Sequence, residues 1–508
     1  MRLSIAICLL AACTVVAAPQ KDDLPNGAVG RLGTAVTPAK DGPTVGDVTA
    51  LLFLGDNTLF VGTNGGWKTW DLQKRQPRQA SLIGGPTFAV ARDAHRVLVG
   101  SAHKLHSIEP VESAMAEPAQ SWDAASAEVR ALAVSGGSQR VVYTNGDRTL
   151  ALLDLKQGST PGKIEIPAAP LAAALTANGR ILAVVTRDGA ARIYSLTANG
   201  NVEPLWLKRI ARSERTALQF TTDGRLLAVA SAGRVMVMES STGRPLVNLE
   251  RKFGEGDVRA LAFSPDGRML AVVSAGPDPV VRVWAINTGS ELITFNGHRG
   301  DLNSVAFAPD GRTLATGGSD QVVYLWRAPA PPADGKSISA ADAWDTLDAL
   351  EAVDAHRATG ALLEDPKTAV EAIGTGFRNM VGERAKIKRW IAELDHDEFR
   401  VRETARRGLI KAGLRAAAAL NDPDRKKLQA EGEQRVRVIL EAMEAQGLRI
   451  PESGLYGEDL RSVRAVRALE QIGGKDAREV LVEAARGPKD GRLAKEAKAA
   501  LEVWPNDR

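Results

Sequence analysis

Through the first two-thirds of the chain, short apolar runs alternate with tight polar turns. One stretch reads Val258-Arg-Ala-Leu-Ala-Phe-Ser-Pro-Asp-Gly-Arg-Met-Leu-Ala271, and it returns as Leu302-Asn-Ser-Val-Ala-Phe-Ala-Pro-Asp-Gly-Arg-Thr-Leu-Ala315. An apolar run, a Pro-Asp-Gly-Arg turn and a second apolar run predict a strand hairpin, because Asp-Gly accepts the positive φ of a tight turn. The residue after this turn is Thr58, Arg96, Arg140, Arg180, Arg225, Arg268 or Arg312, at spacings of 38 to 45 residues. A second hairpin signal recurs at Ser241-Thr242-Gly243 and Asn287-Thr288-Gly289. Seven units of this length, each with room for about four short strands, make an internal repeat.

Beyond the Pro-rich stretch at 328–337 the period changes. Ser339-Ala-Ala-Asp342 has the shape of a capping box, and Asp365-Pro366 reads as a cap followed by a first-turn proline. Ile387, Trp390, Ile391 and Leu394 fall on one helical face, and Val401, Ala405 and Leu409 repeat the pattern in the next helix. Further helices are expected at about 424–446, 458–472, 475–485 and 491–503, with breaks at Gly413, Pro451, Gly473-Gly474 and Gly487-Pro488. Charged residues rise from about one in five before residue 335 to more than one in three after it, which suits a change from strand to helix.

The repeats resemble the WD40 family, strongly in the last three copies and less so in the second and third. The resemblance implies a multi-domain β + α chain: a seven-bladed β-propeller over 26–327, then an all-α domain over 338–504 joined by the linker 328–337. It also implies closure. Ala-Pro-Ala-Pro-Pro follows Arg327 at once, so the last blade lacks an outer strand on its C-terminal side. Residues 29–36 are expected to supply that strand. In the family a Ser/Thr, His, Asp and Trp form a hydrogen-bonded tetrad within a blade, and His298, Thr316, Asp320 and Trp326 occupy those positions in copy seven. The helical part resembles HEAT-like repeats, for example at Leu394–Ala405 and Arg464–Ala477, and the whole resembles bacterial WD40 proteins with a helical tail.

No nucleophile elbow, zinc-protease motif or phosphate-cradling loop is present, and no cofactor is implied. His103 and His106 lie three apart on a strand-like stretch, where they would face opposite sides. An acidic residue does recur just before the first strand, as Asp47, Glu128, Glu214, Asp257 and Asp301. These would either cap turns or form an acidic rim that attracts a basic partner or a cation. Basic residues concentrate in Arg384–Arg415, and Arg461, Arg464 and Arg467 form a stripe. Docking of that basic surface on the acidic rim of the same chain is one expectation. A net charge of +4 over 508 residues gives no reason to expect nucleic acid.

The N-terminus adds an expectation of export. Arg2 precedes an apolar run from Leu3 to Ala18, too short to span a bilayer as a helix. Residues 1–18 read as a signal peptide cut near Ala17-Ala18, or as a lipoprotein signal ending before Cys13, which would then be lipidated. Both cysteines, Cys8 and Cys13, lie in this segment, so no internal disulfide or cysteine metal site is expected after cleavage. Membrane contact would come only through this leader or a lipid on Cys13. The function expected is a periplasmic or membrane-anchored scaffold binding protein or peptide partners through the channel face and the helices. The alternatives are a propeller hydrolase with a channel-bound cation and a cytoplasmic regulatory module.

Overall fold

The computed structural model describes residues 24–32, 46–81, 87–91, 96–101, 104–108, 120–123, 129, 132–135, 140–144, 147–155, 162–197, 202–249, 257–276, 279–286, 289–329, 338–349, 352–421, 428–446, 448, 457–487, 491–502 and 504. The leader, Cys13, His103, Glu128 and residues 33–36 lie outside these.

Strand β1 is Ala28–Leu32. Blade one is β2 to β5 (Val48–Gly55, Thr58–Thr63, Gly66–Asp71, Gln76–Ser81). Blade two is β6 to β9 (Thr87–Ala91, Arg96–Ser101, Lys104–Ile108, Gln120–Asp123), and blade three is β10 to β13 (Leu132–Val134, Arg140–Thr144, Thr149–Asp154, Gly162–Glu165). Blade four is β14 to β17 (Pro170–Leu175, Ile181–Thr186, Ala190–Leu196, Val202–Arg209). Blade five is β18 to β21 (Thr216–Phe220, Leu226–Ser231, Arg234–Glu239, Pro245–Asn248). Blade six is β22 to β25 (Val258–Phe263, Met269–Ser274, Val280–Ala285, Glu291–Asn296), and blade seven holds β26 to β28 (Leu302–Phe307, Thr313–Gly318, Val323–Arg327). The seven sheets are each four-stranded, and the seventh has the order β1-β28-β27-β26. The chain is a seven-bladed β-propeller followed by a helical region.

The local chemistry explains the repeat. In blade five the Thr221 hydroxyl donates to Asp223 Oδ1 at 2.6 Å, and that same oxygen accepts from Arg225 N at 2.9 Å. Gly224 follows at φ 71°, a conformation that most side chains would strain. Blade six repeats the device with Ser264, Asp266 and Gly267, the last at φ 70°. Second strands such as β15, β19 and β23 are buried along their whole length, since neighbouring blades cover both faces. The outer strand β17 is instead exposed or half-buried throughout. Blades are also tied at the centre: Leu51 N donates to Ser304 Oγ at 2.9 Å, and Phe263 N to Gln219 Oε1 at 3.1 Å.

Nine helices are described: α1 (Ala340–Thr346), α2 (Ala352–Glu364), α3 (Pro366–Glu393), α4 (Phe399–Ala412), α5 (Leu414–Leu420), α6 (Ala430–Ala445), α7 (Gly457–Ile472), α8 (Gly474–Ala485) and α9 (Arg492–Glu502). Ser339 caps α1 by accepting from Asp342 N, and Asp365 caps α3 by accepting from Thr368 N, with Pro366 in the first turn. Two apolar clusters form. One joins residues of α1, α2, α7, α8, α9 and the first half of α3, and the other joins α4, α5, α6 and the second half of α3. Helix α3 spans both, about 42 Å at the usual rise. Among the described residues no helix is long and apolar enough to cross a membrane.

Candidate functional site

Strands in each blade are antiparallel, so the propeller has two ends. The entry face carries the residues that precede each first strand and the turns between second and third strands. The turn face carries the Asp-Gly-Arg hairpins and the turns between third and fourth strands.

Within blade seven, His298, Thr316, Asp320 and Trp326 come together. Trp326 Nε1 donates to Thr316 Oγ1 at 2.7 Å. Thr316 Oγ1 lies 2.8 Å from His298 Nε2, and His298 Nδ1 lies 2.8 Å from Asp320 Oδ2. One proton assignment satisfies every group: indole to hydroxyl, hydroxyl to Nε2, Nδ1–H to carboxylate. Burial pushes the Asp320 carboxyl up, but the hydrogen bond from His298 and the backbone N–H groups of Arg299 and Val322 hold it below the usual range. Threonine, histidine and aspartate are thus connected as in a hydrolytic relay. Access decides otherwise. Thr316 is 0% exposed and its oxygen already accepts the indole N–H, so no substrate carbonyl can reach it.

Four of the expected rim residues lie on the entry face. Three of them are paired with an arginine across a blade junction. Glu214 meets Arg187 of blade four at 2.9 Å, and Asp257 meets Arg215 of blade five at 4.0 Å. Asp301 meets Arg259 of blade six at 3.2 Å and also accepts from Gly276 N. Each of these three carboxylates faces a guanidinium of the preceding blade. At the next junction Asn303 donates to Val48 O at 3.3 Å, beside the half-buried Asp47. The pattern is a belt of inter-blade ties. Among the described residues no three His, Cys, Asp or Glu side chains are placed to hold a metal. His106 pairs with Ser121 Oγ at 2.9 Å.

The helical region docks on the other end, which corrects the expectation that its basic surface meets the acidic rim. Arg464 of α7 makes a two-pronged contact with Glu239 at the end of β20, at 2.7 and 2.8 Å. Its Nη1 also donates to the Leu347 and Ala349 carbonyls after α1. Glu470 takes Arg467 at 2.8 Å and is bonded to Arg180 in the first turn of blade four. Gln471 donates to the Asp223 carbonyl in the first turn of blade five at 3.0 Å. The third arginine of the stripe, Arg461, stays within the helical region on Asp348 at 2.6 Å. Burial raises both glutamates, but Arg464 on Glu239, and Arg467 and Arg180 on Glu470, hold them below the ordinary value. Of the stripe only Arg464 meets a propeller acid, Glu239; Glu470 lies on α7 itself and reaches the propeller through Arg180.

Comparison with known proteins decides the family. The WD domain, G-beta repeat family matches residues 244–285 and 289–327, which span the end of blade five through blade seven. The chain carries WD40 repeats, and its seven-bladed propeller supports the WD40 β-propeller family. A chain in the crystal structure of a mitotic checkpoint complex is similar to this WD40 protein over 62% of this chain and 98% of its own, at 16% identity and a TM-score of 0.50. At that identity the likeness concerns fold. A comparison with curated proteins finds no match. The family matches span blades six and seven, where the Asp-Gly-Arg turns and Trp284 and Trp326 are intact. What sequence reading missed in this WD40 propeller is the arginine-lined recess between blades four and five. Its residues belong to no motif, and only the adjacency of two blades assembles them.

Proposed function

We propose that this WD40 protein is an exported, non-catalytic scaffold that holds protein or peptide partners on its entry face and on the outward helices of its C-terminal region. One observation carries the reading. Helix α7 is locked onto the turn face by buried ion pairs, while the entry face keeps exposed charged residues, Glu214 at 70% and Asp257 at 51%. A propeller fixed at one end to a second domain presents its other end in a defined orientation, which is what a scaffold requires. The similar chain from a checkpoint complex is consistent with protein partners for this fold. Export belongs to the same proposal and is supported by the apolar run behind Arg2.

The test places a photo-crosslinking side chain at Glu214 or Asp257, or at Arg312 on the turn face of blade seven, in cells that make the protein. Mass spectrometry should then find defined proteins joined at the entry-face positions. If no protein is captured from any position, the scaffold reading falls. An uncleaved N-terminus on the native protein would remove export alone.

A further inference from the structure

The second half of α3, from Arg384 to Glu393, and the whole of α4 carry nine basic side chains and two acidic ones. Both acids are already taken, Glu393 by Arg389 at 2.6 Å and Glu403 by Arg406 and Arg407 at 2.8 Å. Lys386, Lys388, Arg400 and Lys411 are exposed and pair with no carboxylate among the described residues. Helical spacing puts Arg400, Arg407 and Lys411 on the face of α4 away from the buried Ala405 and Leu409. Gly408, three residues from Lys411, lets the Trp390 indole lie against α4, and Lys386 Nζ stands 4.9 Å from that ring. Phe399, the first residue of α4, is 71% exposed, with the Arg402 guanidinium over its ring. Opposing charge stands at the α3–α4 turn, on Asp397 and Glu398; Asp395 accepts from Gln429 N there, and Glu383 is held by Arg415. The described ion pairs to the propeller come from α7, which leaves this helix pair uncovered.

We propose that the basic pair of α3 and α4 lies on an anionic phospholipid surface, with Lys386, Arg400 and Lys411 toward the headgroups and Phe399 at the interface. The cations are spread along α4, about 21 Å at the usual rise, and across to α3. They sit on long flexible stems, which suits a fluid plane of phosphates better than a partner with acids at fixed positions. Phe399 supplies the apolar contact that charge alone lacks, and aromatic rings favour the bilayer interface. Each cation near an anionic leaflet strengthens partition on the order of fivefold. A single acyl chain holds a protein at a membrane only marginally, so this face would be a second contact beside the leader or a lipid on Cys13. The proposal requires neither of those and goes beyond the scaffold reading.

The probe is co-sedimentation of the full chain with vesicles of phosphatidylcholine alone, or of phosphatidylcholine mixed three to one with phosphatidylglycerol. The neutral vesicles measure what the apolar leader contributes. Wild type should bind the anionic vesicles on the order of tenfold more tightly than the neutral ones, with the difference falling as salt rises. R400E/K411E should lose most of that difference, and F399S should weaken binding severalfold, both with the wild-type melting curve. K495E/K498E, on exposed positions of α9, changes net charge equally and should bind as wild type. Equal binding to the two vesicle types, or unchanged binding by R400E/K411E or F399S, overturns the proposal. An equal loss in K495E/K498E does so too, since net charge rather than this face would then be the cause. So does a polyglutamate chain that binds through Arg400 and Lys411 when the vesicles do not. Crosslinking from the entry face is unaffected by any of these results, so the scaffold reading and this one fail separately.

Discussion

A threonine hydroxyl 2.8 Å from one nitrogen of His298, with an aspartate 2.8 Å from the other, has the connectivity of a catalytic relay and the accessibility of a core. Another buried group is a carboxylate that nothing pairs fully. Glu458 opens α7, and its Oε1 meets no donor. Burial raises its carboxyl to about 7, with Glu383 and Asp459 adding to the shift and Arg384 and Arg415 opposing it. The unfolded glutamate titrates lower, so the folded state holds the proton more tightly. The protonated form's stability is therefore complete below the unfolded value and is lost as pH rises through about 7. By linkage the shift is worth on the order of 3 kcal/mol above pH 8. Glu458→Gln should raise the melting temperature at pH 8 and leave it nearly unchanged at pH 4; equal effects at both would count against a proton-linked strain. The tetrad was legible residue by residue because a family places those four types at fixed positions. Glu458 was not, because its titration depends on Glu383, Arg384 and Arg415, which the chain brings in from α3 and α5.

At the scale of elements, the N-terminal strand shows how far pattern carries. Residues 29–36 were expected to close blade seven because prolines stop the chain after Arg327; β1 lies at Ala28–Leu32 and pairs antiparallel with β28, Leu32 opposite Val323. Leu32 is 3% exposed, packed with Val48, Leu51, Val323 and Leu325 where blades seven and one meet. Deleting residues 25–37 removes these ladder bonds, uncovers that cluster and frees the β28 edge. The melting temperature should fall on the order of 10 °C, and calorimetry that finds it unmoved would refute the closure. Hairpins were readable because Asp-Gly fixes a turn chemically. The 28-residue α3 was less so: Gly374, Gly376 and Gly382 interrupt its sequence but not its backbone. Packing overrides propensity there, since Gly376 lets Trp344 lie against the helix and Gly374 lets Val480 approach.

For the whole molecule, the decisive contacts join residues 225 and 290 positions apart, Arg464 to Glu239 and Arg180 to Glu470. Nothing local in the sequence selects those partners, and the stripe Arg461, Arg464 and Arg467 is equally compatible with a solvated face. The end of the propeller that receives it follows from where acids are already tied. On the entry face Arg187, Arg215 and Arg259 hold Glu214, Asp257 and Asp301; on the turn face Glu239 waits at the end of a third strand. Removing one partner of a buried pair strands the other, at about 3–5 kcal/mol. Both glutamates titrate below their ordinary value, so the docked state is held across neutral pH and loosens only as acid protonates them. Wild-type protein should therefore scatter X-rays as one rigid particle at low and high salt alike. The double variant E239Q/E470Q should give a larger radius of gyration and separate melting of propeller and helices. If its scattering curve superposes on wild type, the ion pairs are ornaments on an interface held by packing, and the entry face is oriented by something other than α7.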